Sequence, residues 1–350
     1  MIKTTRLGSA LLATLFVATA ASALDSKEPP KAEPRMQKVL DAYAALEAKP
    51  VETLDAATAR RQPTAADAAA RLQKEEGRAA PTTPALAVRH VSVRGPVGDI
   101  ALHVYTPPGK GPFPVIVYFH GGGFVLGDTK GYEPSIRALA GSANAVVVSV
   151  DYRQAPEHRF PAAADDAFAA WQWVLAHAAE LNGDAARVAV AGESAGGNLA
   201  AVVALMARDR KVTPPLRQVL IYPVLNDDMS TPSYQRNANA QPLNKAAMQW
   251  FLQQYAPRPD DRANPYALPM KATTLKGLAP ATVVAAEIDP LASEARGYAD
   301  RLKADGVAVQ YREFDGVTHE FFGMHAVLPK AEDAQKFVVE DLRKAFGARP

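Results

Sequence analysis

Residues 192–196, Gly-Glu-Ser-Ala-Gly, hold Ser194 in a pattern that suits nucleophilic chemistry. The short apolar run at 188–191 predicts a buried strand, and the alanine-rich run at 198–205 predicts a helix. A strand that turns into a helix within a few residues forms a sharp elbow, where flanking glycines permit close approach and the serine hydroxyl is exposed at the tip. The same pattern occurs by chance in chains rich in small residues, so a tight turn with a solvated serine is the alternative interpretation.

A serine hydroxyl is a weak nucleophile, so it needs a base, and the base needs a group that orients it. In enzymes with a serine elbow the partners follow in the order serine, acid, histidine. Of the seven histidines, only His319 and His325 come after the elbow. His319 lies just past a predicted strand at 307–314, and loops at the carboxyl ends of strands form the sites of open α/β sheets. We expect His319 to be the base and His325 to be solvated.

The acid is expected at the end of the preceding predicted strand, residues 281–286. Asp289 occupies the turn there, ahead of Pro290, which can open the next helix. Asp289 is favoured over Glu287 because the turn is where an orienting group can reach the base. An ordinary helix N-cap is the alternative role for Asp289.

Three consecutive glycines, residues 121–123, follow His120 and a predicted buried strand at 115–119. Such a run costs backbone entropy and is typical of places where main-chain amides approach a ligand closely. Its position after a strand and upstream of the elbow matches the loop that supplies oxyanion-hole amides. The Ala195 amide, at the start of the predicted helix, would face the same anion. A flexible glycine loop is the alternative.

The elements around these residues alternate between strands and helices, which predicts right-handed crossovers and a mostly parallel sheet. An antiparallel hairpin at 90–106 is expected to precede the parallel part. The other predicted strands are at 115–119, 145–150, 188–191, 218–222, 281–286 and 307–314, and the predicted helices between and after them are at 135–140, 162–179, 198–205, 291–304 and 329–346. The expected fold class is α/β, with a central sheet flanked by helices.

Two segments fall outside this rhythm. An apolar stripe over 36–46 and a run at 65–76 capped by Thr64 predict two helices before the first strand, which form either a lid or an N-terminal support. Residues 226–271 are rich in Pro, Asn and Gln and carry one predicted helix near 245–255. An insertion of this kind after a sheet strand is more typical of a cap than of a separate domain.

The chain has 350 residues and no cysteine, which excludes disulfides, thiolate zinc sites and a cysteine nucleophile. Lys3 and Arg6, an apolar stretch at 7–20 and the Ala-Ser-Ala site at 21–23 predict a cleaved signal peptide, and hence an exported protein, periplasmic or secreted. A membrane anchor is the alternative, but the apolar stretch is too short to span a bilayer, so no stable membrane insertion is expected after cleavage.

Cleavage after Ala23 would remove two of the 39 Lys and Arg residues and leave them equal in number to the 37 Asp and Glu residues. A net charge near zero gives no sign of a surface that binds nucleic acid or an anionic membrane. Nothing in the sequence indicates a metal or an organic cofactor, and the oligomeric state is left open.

Taken together, the motifs resemble the hormone-sensitive-lipase-like esterases of the α/β-hydrolase superfamily, including the bacterial members. The resemblance covers residues 91–346 and is carried by five stretches. These are HGGGF from His120, DYRQAPEHRFPAA from Asp151, GESAGGNLA from Gly192, DPL from Asp289, and the late His319.

The resemblance implies an α/β-hydrolase fold with an α-helical cap, and it implies roles for six residues. They are the triad Ser194, Asp289 and His319, and the oxyanion-hole amides of Gly122, Gly123 and Ala195. It divides the chain into a signal peptide (1–23), a linker with N-terminal cap helices (24–85) and a catalytic domain (86–350) with a cap insertion at 225–271. Glu320 departs from the family, in which a glycine commonly follows the histidine.

The activity implied by the resemblance is that of a metal-independent serine carboxylesterase that acts on short-acyl esters without a cofactor. Phe124, Phe321 and Phe322 are candidates for the acyl side of the pocket, or equally for the core. Two alternatives are weighed: a hydrolase of specialised substrates, such as acetylated sugars, amides or lactones, and a non-catalytic binding protein on the same fold.

Overall fold

The computed structural model describes residue 1, residues 29–79 and residues 84–347. The expected signal peptide, apart from Met1, and the first part of the expected linker lie outside these residues. Within the described chain the strands are Ala87–Gly95 (β1), Gly98–Thr106 (β2), Phe113–Phe119 (β3), Val146–Asp151 (β4), Gly183–Glu193 (β5), Gln218–Ile221 (β6), Ala281–Ile288 (β7) and Val309–Thr318 (β8).

These strands form one sheet in the order β1-β2-β4-β3-β5-β6-β7-β8. β1 and β2 form the expected hairpin, and β2 also pairs antiparallel with β4. All the remaining neighbours, from β4 through to β8, are parallel. The carboxyl ends of β3, β5, β7 and β8 therefore meet at one edge, and the loops that follow them are neighbours. The expectation of a mostly parallel α/β sheet is confirmed.

The α-helices of the described chain lie before, between and after the strands. They are Pro34–Ala44 (α1), Ala56–Ala59 (α2), Ala65–Glu75 (α3), Glu133–Ala143 (α4), Ala162–His177 (α5), Ala195–Asp209 (α6), Pro232–Arg236 (α7), Lys245–Tyr255 (α8), Pro259–Ala263 (α9), Ala292–Ala304 (α10) and Pro329–Ala345 (α11). Thr64 caps α3 as expected, with its hydroxyl accepting from the Asp67 amide in a capping box.

Alternation along the strands divides the core into two layers. In β3, Val115, Val117 and Phe119 face one layer, which also holds apolar side chains of α5, α6 and α10. Ile116 and Tyr118 face the other layer, with side chains of α1, α3, α4 and α11. Successive side chains of a strand point to opposite faces, so near-continuous apolar runs are what a sheet covered on both faces requires.

The structure has more helices than the sequence predicts in the two segments that interrupt the alternation of strands and helices. Two helices were expected before β1, and the structure has a third, α2, capped by the Asp55 carboxylate. One helix was expected between 226 and 271, and the structure adds the five-residue α7 and α9 on either side of α8. Helices of four or five residues are too short to show the helical period that identifies longer helices in a sequence.

We call residues 34–75 and 225–271 the cap segments. Arg60 ties the first of them to the sheet domain: its guanidinium donates to the carbonyls of Val125 (2.9 Å) and Ala155 (2.8 Å) and pairs with the Glu157 carboxylate. Asn198 of α6 holds the second, because its side-chain amide donates to the carbonyl of Val224, directly before the segment, and to that of Ala267 within it, both at 2.8 Å. Both cap segments are therefore fixed to the sheet domain by buried or half-buried polar contacts.

Candidate active site

The turn from β5 into α6 has the geometry of a strained elbow. Ser194 has φ 56° and ψ −116°, an unusual conformation for a residue with a Cβ, and its amide donates to the Ile221 carbonyl at 2.9 Å. A Cβ on Gly192 would overlap the Gly196 carbonyl, and one on Gly196 would overlap the Phe119 carbonyl. The glycines therefore allow β3, β5 and α6 to approach each other closely, which presents the serine at the tip of the turn.

The structure brings Ser194, His319 and Asp289 together from three separate loops. The Nε2 atom of His319 lies 2.9 Å from the Ser194 Oγ, and its Nδ1 lies 2.6 Å from an Asp289 carboxylate oxygen. All three are buried, with at most 4 % of each residue exposed. In this geometry His319 donates from Nδ1 to Asp289, which leaves Nε2 free to accept the serine proton.

The surroundings of His319 favour the protonated imidazole. Burial alone lowers the pKa of His319, but the charge and hydrogen bond of Asp289 outweigh it, with further contributions from Glu320 and Glu193, and the pKa is raised above 6.5. A base with this pKa accepts a proton from serine more readily than a free imidazole would.

Asp289 is held in place by a cap segment. The Asn237 side-chain amide donates to the carbonyls of Glu287 and Asp289, both at 3.0 Å. The second carboxylate oxygen of Asp289 accepts from the Leu291 amide at 2.8 Å, so this residue combines the orienting contact with a turn at the start of α10. The alternative, Glu287, instead accepts from the Gly316 amide at 2.7 Å, on the backbone of β8.

The glycine loop after β3 lies over the same site. Gly122 and Gly123 have φ 99° and 61°, and the Gly122 carbonyl accepts from the amides of Val125 and Leu126. His120 stiffens the loop, because its Nδ1 donates to the Gly121 carbonyl at 2.8 Å and its ring stacks on Tyr152 at 4.4 Å. Burial lowers the pKa of His120, which keeps the ring neutral. The loop is therefore well braced, unlike a flexible glycine linker.

Ser194 and His319 open into a cavity of about 170 Å³. Gly122, Gly123, Leu126, Tyr132 and Glu320 border it from the sheet domain. The cap segments contribute most of the remaining wall, so residues of the N-terminal segment and of the 225–271 segment both line the cavity. Their lining residues are Tyr43, Lys49, Val51, Ala59, Gln62, Pro63, Thr64, Ala65, Ala66, Pro242, Leu243, Ala247, Met248 and Phe251.

Of the two roles considered for Phe124, Phe321 and Phe322, lining of the acyl pocket or packing in the core, the structure supports the core. All three are buried to within 1 %, and none borders the cavity. Phe124 stacks on Tyr255 at 3.7 Å, and Phe321 packs against Tyr222 and Phe314. They follow functional loops in sequence, but the chain turns their side chains into the core. The phenylalanine of the wall is Phe251, which sequence reasoning did not single out.

Sequence reasoning also missed a buried polar cluster behind the base. The two oxygens of the Glu193 carboxylate accept from the hydroxyls of Tyr118 and Tyr222, and the Tyr222 ring lies 4.6 Å from that of His319. Burial, with the nearby charge of Glu320, raises the pKa of Glu193 to about 7. The strand register indicates this cluster. Tyr118 pairs with Ala191, two residues before Glu193, so the side chains of Tyr118 and Glu193 project to the same face of the sheet.

Glu320, which directly follows His319, adopts the left-handed conformation with φ 70°. Its carboxylate accepts from the Tyr132 hydroxyl at 2.7 Å, and both residues border the cavity. Burial raises the pKa of Glu320. His325, in contrast, is half-buried, with its Nδ1 3.0 Å from the Gln335 side-chain amide, and lies apart from the Ser194 cavity.

The described residues hold no group of three or more His, Asp or Glu side chains arranged to bind a metal ion. Within the same ranges, no helix combines the length and the apolar character that crossing a bilayer requires.

The sheet, the elbow and the buried serine–histidine–aspartate arrangement are those of the α/β-hydrolase class. A family model described as alpha/beta hydrolase fold matches residues 116–323. The chain is 42 % identical over 254 residues to the carboxylesterase NlhH of Mycobacterium tuberculosis, covering 71 % of this chain and 80 % of that one. It is 39 % identical over 249 residues to an ethyl acetate hydrolase of Pseudomonas putida, covering 70 % and 78 %.

Comparison with solved structures leads to the same class of protein. The esterase of the archaeon Pyrobaculum calidifontis superposes with a TM-score of 0.81 at 37 % identity, covering 90 % of this chain and 98 % of that one. This chain therefore belongs to the alpha/beta hydrolase family, in its hormone-sensitive-lipase-like branch. It is a serine ester hydrolase of the carboxylesterase type that acts on small-molecule esters, and the comparisons do not favour the acetylated-sugar alternative.

Proposed function

We propose that this carboxylesterase hydrolyses small esters through an acyl-enzyme on Ser194. His319 takes the Ser194 proton at Nε2 as the Oγ attacks the ester carbonyl, and it then gives that proton to the leaving alcohol. Water then attacks the acyl carbonyl as it loses a proton to the same Nε2, and His319 passes this proton to the Ser194 Oγ as the acyl–Oγ bond breaks and the acid leaves. Asp289 holds the tautomer and stabilises the imidazolium. The observation that carries the proposal is the pair of hydrogen bonds, 2.9 Å and 2.6 Å, on either side of His319.

The oxyanion of the tetrahedral intermediate requires amide donors on the side opposite the base. We assign these to Gly122 and Gly123, which border the cavity, and to Ala195, the first residue of α6. The first amides of a helix have no intrahelical partner and lie at the positive end of its dipole, so they suit a developing negative charge.

The size of the cavity supports short esters as substrates. At about 170 Å³ it is smaller than the roughly 300–1,000 Å³ of most ligand pockets, and its cap side is largely aliphatic. The P. putida relative is named for the hydrolysis of ethyl acetate, a small ester. We propose short acyl and short alkyl groups on the two sides of the ester bond.

Replacement of the proposed nucleophile tests the mechanism. Ser194→Ala should lower kcat for p-nitrophenyl butyrate by at least about 10⁴-fold, and it should abolish labelling by a fluorophosphonate, which forms a bond only with an activated serine. Ser149→Ala is the matched control, since Ser149 is equally buried in β4 and bonds Thr129 rather than a histidine. It should retain both activity and labelling. Labelling of Ser194→Ala at wild-type rate would reject the assignment.

We also propose export of the protein, supported by the charged start, the apolar stretch at 7–20 and the Ala-Ser-Ala site. Expression of the full chain in a Gram-negative host, followed by cell fractionation and mass spectrometry of the intact protein, tests this. The expected product begins at Leu24 and is periplasmic or secreted. An uncleaved chain in the cytoplasm would refute export.

A further inference from the structure

A second cavity adjoins the one that holds Ser194 and His319. It measures about 550 Å³, about three times the volume of its neighbour. Four residues border both cavities: Ala66, Gly131, Tyr132 and Glu320. Among them, Tyr132 and Glu320 carry the large side chains, and the hydrogen bond of 2.7 Å between them joins two residues that are 188 positions apart in the chain. Both side chains are half-buried, as expected for groups with a cavity on each side.

The backbone of Glu320 adopts a conformation that is energetically unfavourable for a residue with a side chain. A φ of 70° is the left-handed region, which glycine adopts freely and a residue with a Cβ does not. The helical turn Phe321–Gly323 begins directly afterwards, so Glu320 sits at a sharp change of direction between His319 and that turn. The carboxylate meets Tyr132 because of this conformation, and a glycine at the same place would leave the wall open.

The second cavity offers aliphatic surface. Ala69 and Ala70 of α3, Pro134 at the start of α4, and Met324 and Ala326 after the 3₁₀ turn all border it. The same cavity also has polar lining residues, which are Gln73, Lys130, Glu133, Ser135, Arg137, Glu193 and His325. An alkyl chain of medium length that entered from the Ser194 cavity would find apolar contacts with the aliphatic residues.

We propose that the hydrogen-bonded pair of Tyr132 and Glu320 is a specificity-determining wall, which confines substrates to the small cavity and excludes esters with longer chains from the second one. The inference rests on the proposed function, because it assumes that the ester is bound at Ser194 and that its chains extend from there towards the cavities. Glu320 takes no part in bond making here; it limits the length of the acyl or alkyl group of a productively bound ester.

Chain-length profiles of three variants of Glu320 test the wall. Glu320→Gly removes the side chain and suits the φ of 70°, so it should fold at least as well as the wild type. Glu320→Gln is the matched control: both variants remove the charge beside His319, but glutamine keeps the volume and can still accept from Tyr132. The measurement is kcat/KM for p-nitrophenyl esters from acetate to decanoate and for acetates of alcohols from ethanol to octanol, per active site titrated with a fluorophosphonate.

The ratio of kcat/KM for octyl-length to butyl-length substrates should rise in Glu320→Gly by at least about tenfold over Glu320→Gln, in the acyl or the alcohol series, since each methylene bound in an apolar pocket is worth that order of selectivity. Glu320→Asn, which tolerates the left-handed conformation but cannot reach Tyr132, should show a smaller rise of the same sign. Identical profiles for all three variants in both series would overturn the wall while leaving the esterase mechanism intact. Failure of the mechanism shows itself separately, as undiminished activity in Ser194→Ala.

Discussion

The loops at the carboxyl edge of the sheet and the cap segments build the same cavity by different means. Ser194, Asp289 and His319 stand directly after β5, β7 and β8, and each is fixed by hydrogen bonds to backbone or side chains that are themselves buried. The cap segments instead contribute aliphatic side chains from short helices, tied down at a few points such as Arg60. Chemistry needs positions accurate to a fraction of an ångström, which strand pairing provides, whereas a substrate wall needs mainly shape.

From this division we expect changes at the sheet edge to lower kcat, and changes at the cavity-lining residues of the cap segments to act on KM and on substrate preference.

Asp289→Asn keeps the shape of the sheet edge but presents an amide to the imidazole, which favours the wrong tautomer. We expect kcat for p-nitrophenyl butyrate to fall by about 10⁴-fold with little change in KM. The control is Glu287→Gln, whose carboxylate bonds only the β8 backbone in this region and which should keep most of its activity. A mutant at Asp289 that retained a tenth of wild-type kcat would show that the orienting acid lies elsewhere.

Gly123→Ala tests the point where the two regions touch. A Cβ at Gly123 would overlap the Phe251 ring of α8, so either the glycine loop or the cap must shift. Displacement of an oxyanion donor should reduce kcat by about 10²–10³-fold. Gly77→Ala is the matched control, because Gly77 has the same φ of 61° with open space around it, and it should cost some stability but no activity. Equal kcat values for the two variants would remove the loop from the mechanism.

Phe251→Leu changes the cap wall alone. Because the ring contributes packing around the substrate and contacts no reacting atom in the proposed mechanism, we expect kcat/KM for short esters to fall by about tenfold or less, mostly through KM. Steady-state kinetics with acetate and butyrate esters separates the two parameters. Asn237 of the same cap segment already holds the backbone of Asp289, so a fall confined to kcat would mean that Phe251 also positions catalytic groups and would contradict its assignment to the substrate wall.

The pH dependence of activity should be set by the residues at the sheet edge and should not change when a residue of the cap wall is replaced. His319 must be neutral to accept the serine proton, and its pKa is raised by Asp289, with Glu320 and Glu193 adding to the effect. The acid limb of kcat/KM should therefore lie above pH 6.5, with activity lost as the pH falls through the raised pKa. Glu320→Gln removes a negative charge and should move the limb to lower pH, whereas Phe251→Leu should leave it in place. A limb that moved in both variants, or in neither, would contradict this assignment.

Sequence and structure agree best where a signal is local. Alternation, apolar runs and glycine spacing predict the hairpin, the parallel strands and the elbow. The order serine, acid, histidine excludes the histidines before the elbow, and positions directly after strands then favour Asp289 and His319. The short helices α2, α7 and α9 escaped because four or five residues show no period. The sequence leaves open whether Phe124, Phe321 and Phe322 face the pocket or the core, because a position next to a functional loop does not determine the direction of a side chain after a turn.

The sequence by itself determined the sheet, the order of its strands along the chain and the three residues that meet at its edge, because strand alternation and turn chemistry depend on near neighbours. Only the tertiary structure decided that Glu193 is held between Tyr118 and Tyr222, that Phe251 forms the cap wall, and that Glu320 meets Tyr132 between two cavities. These contacts join residues tens to hundreds of positions apart. They depend on how helices pack over the sheet, which no local pattern encodes.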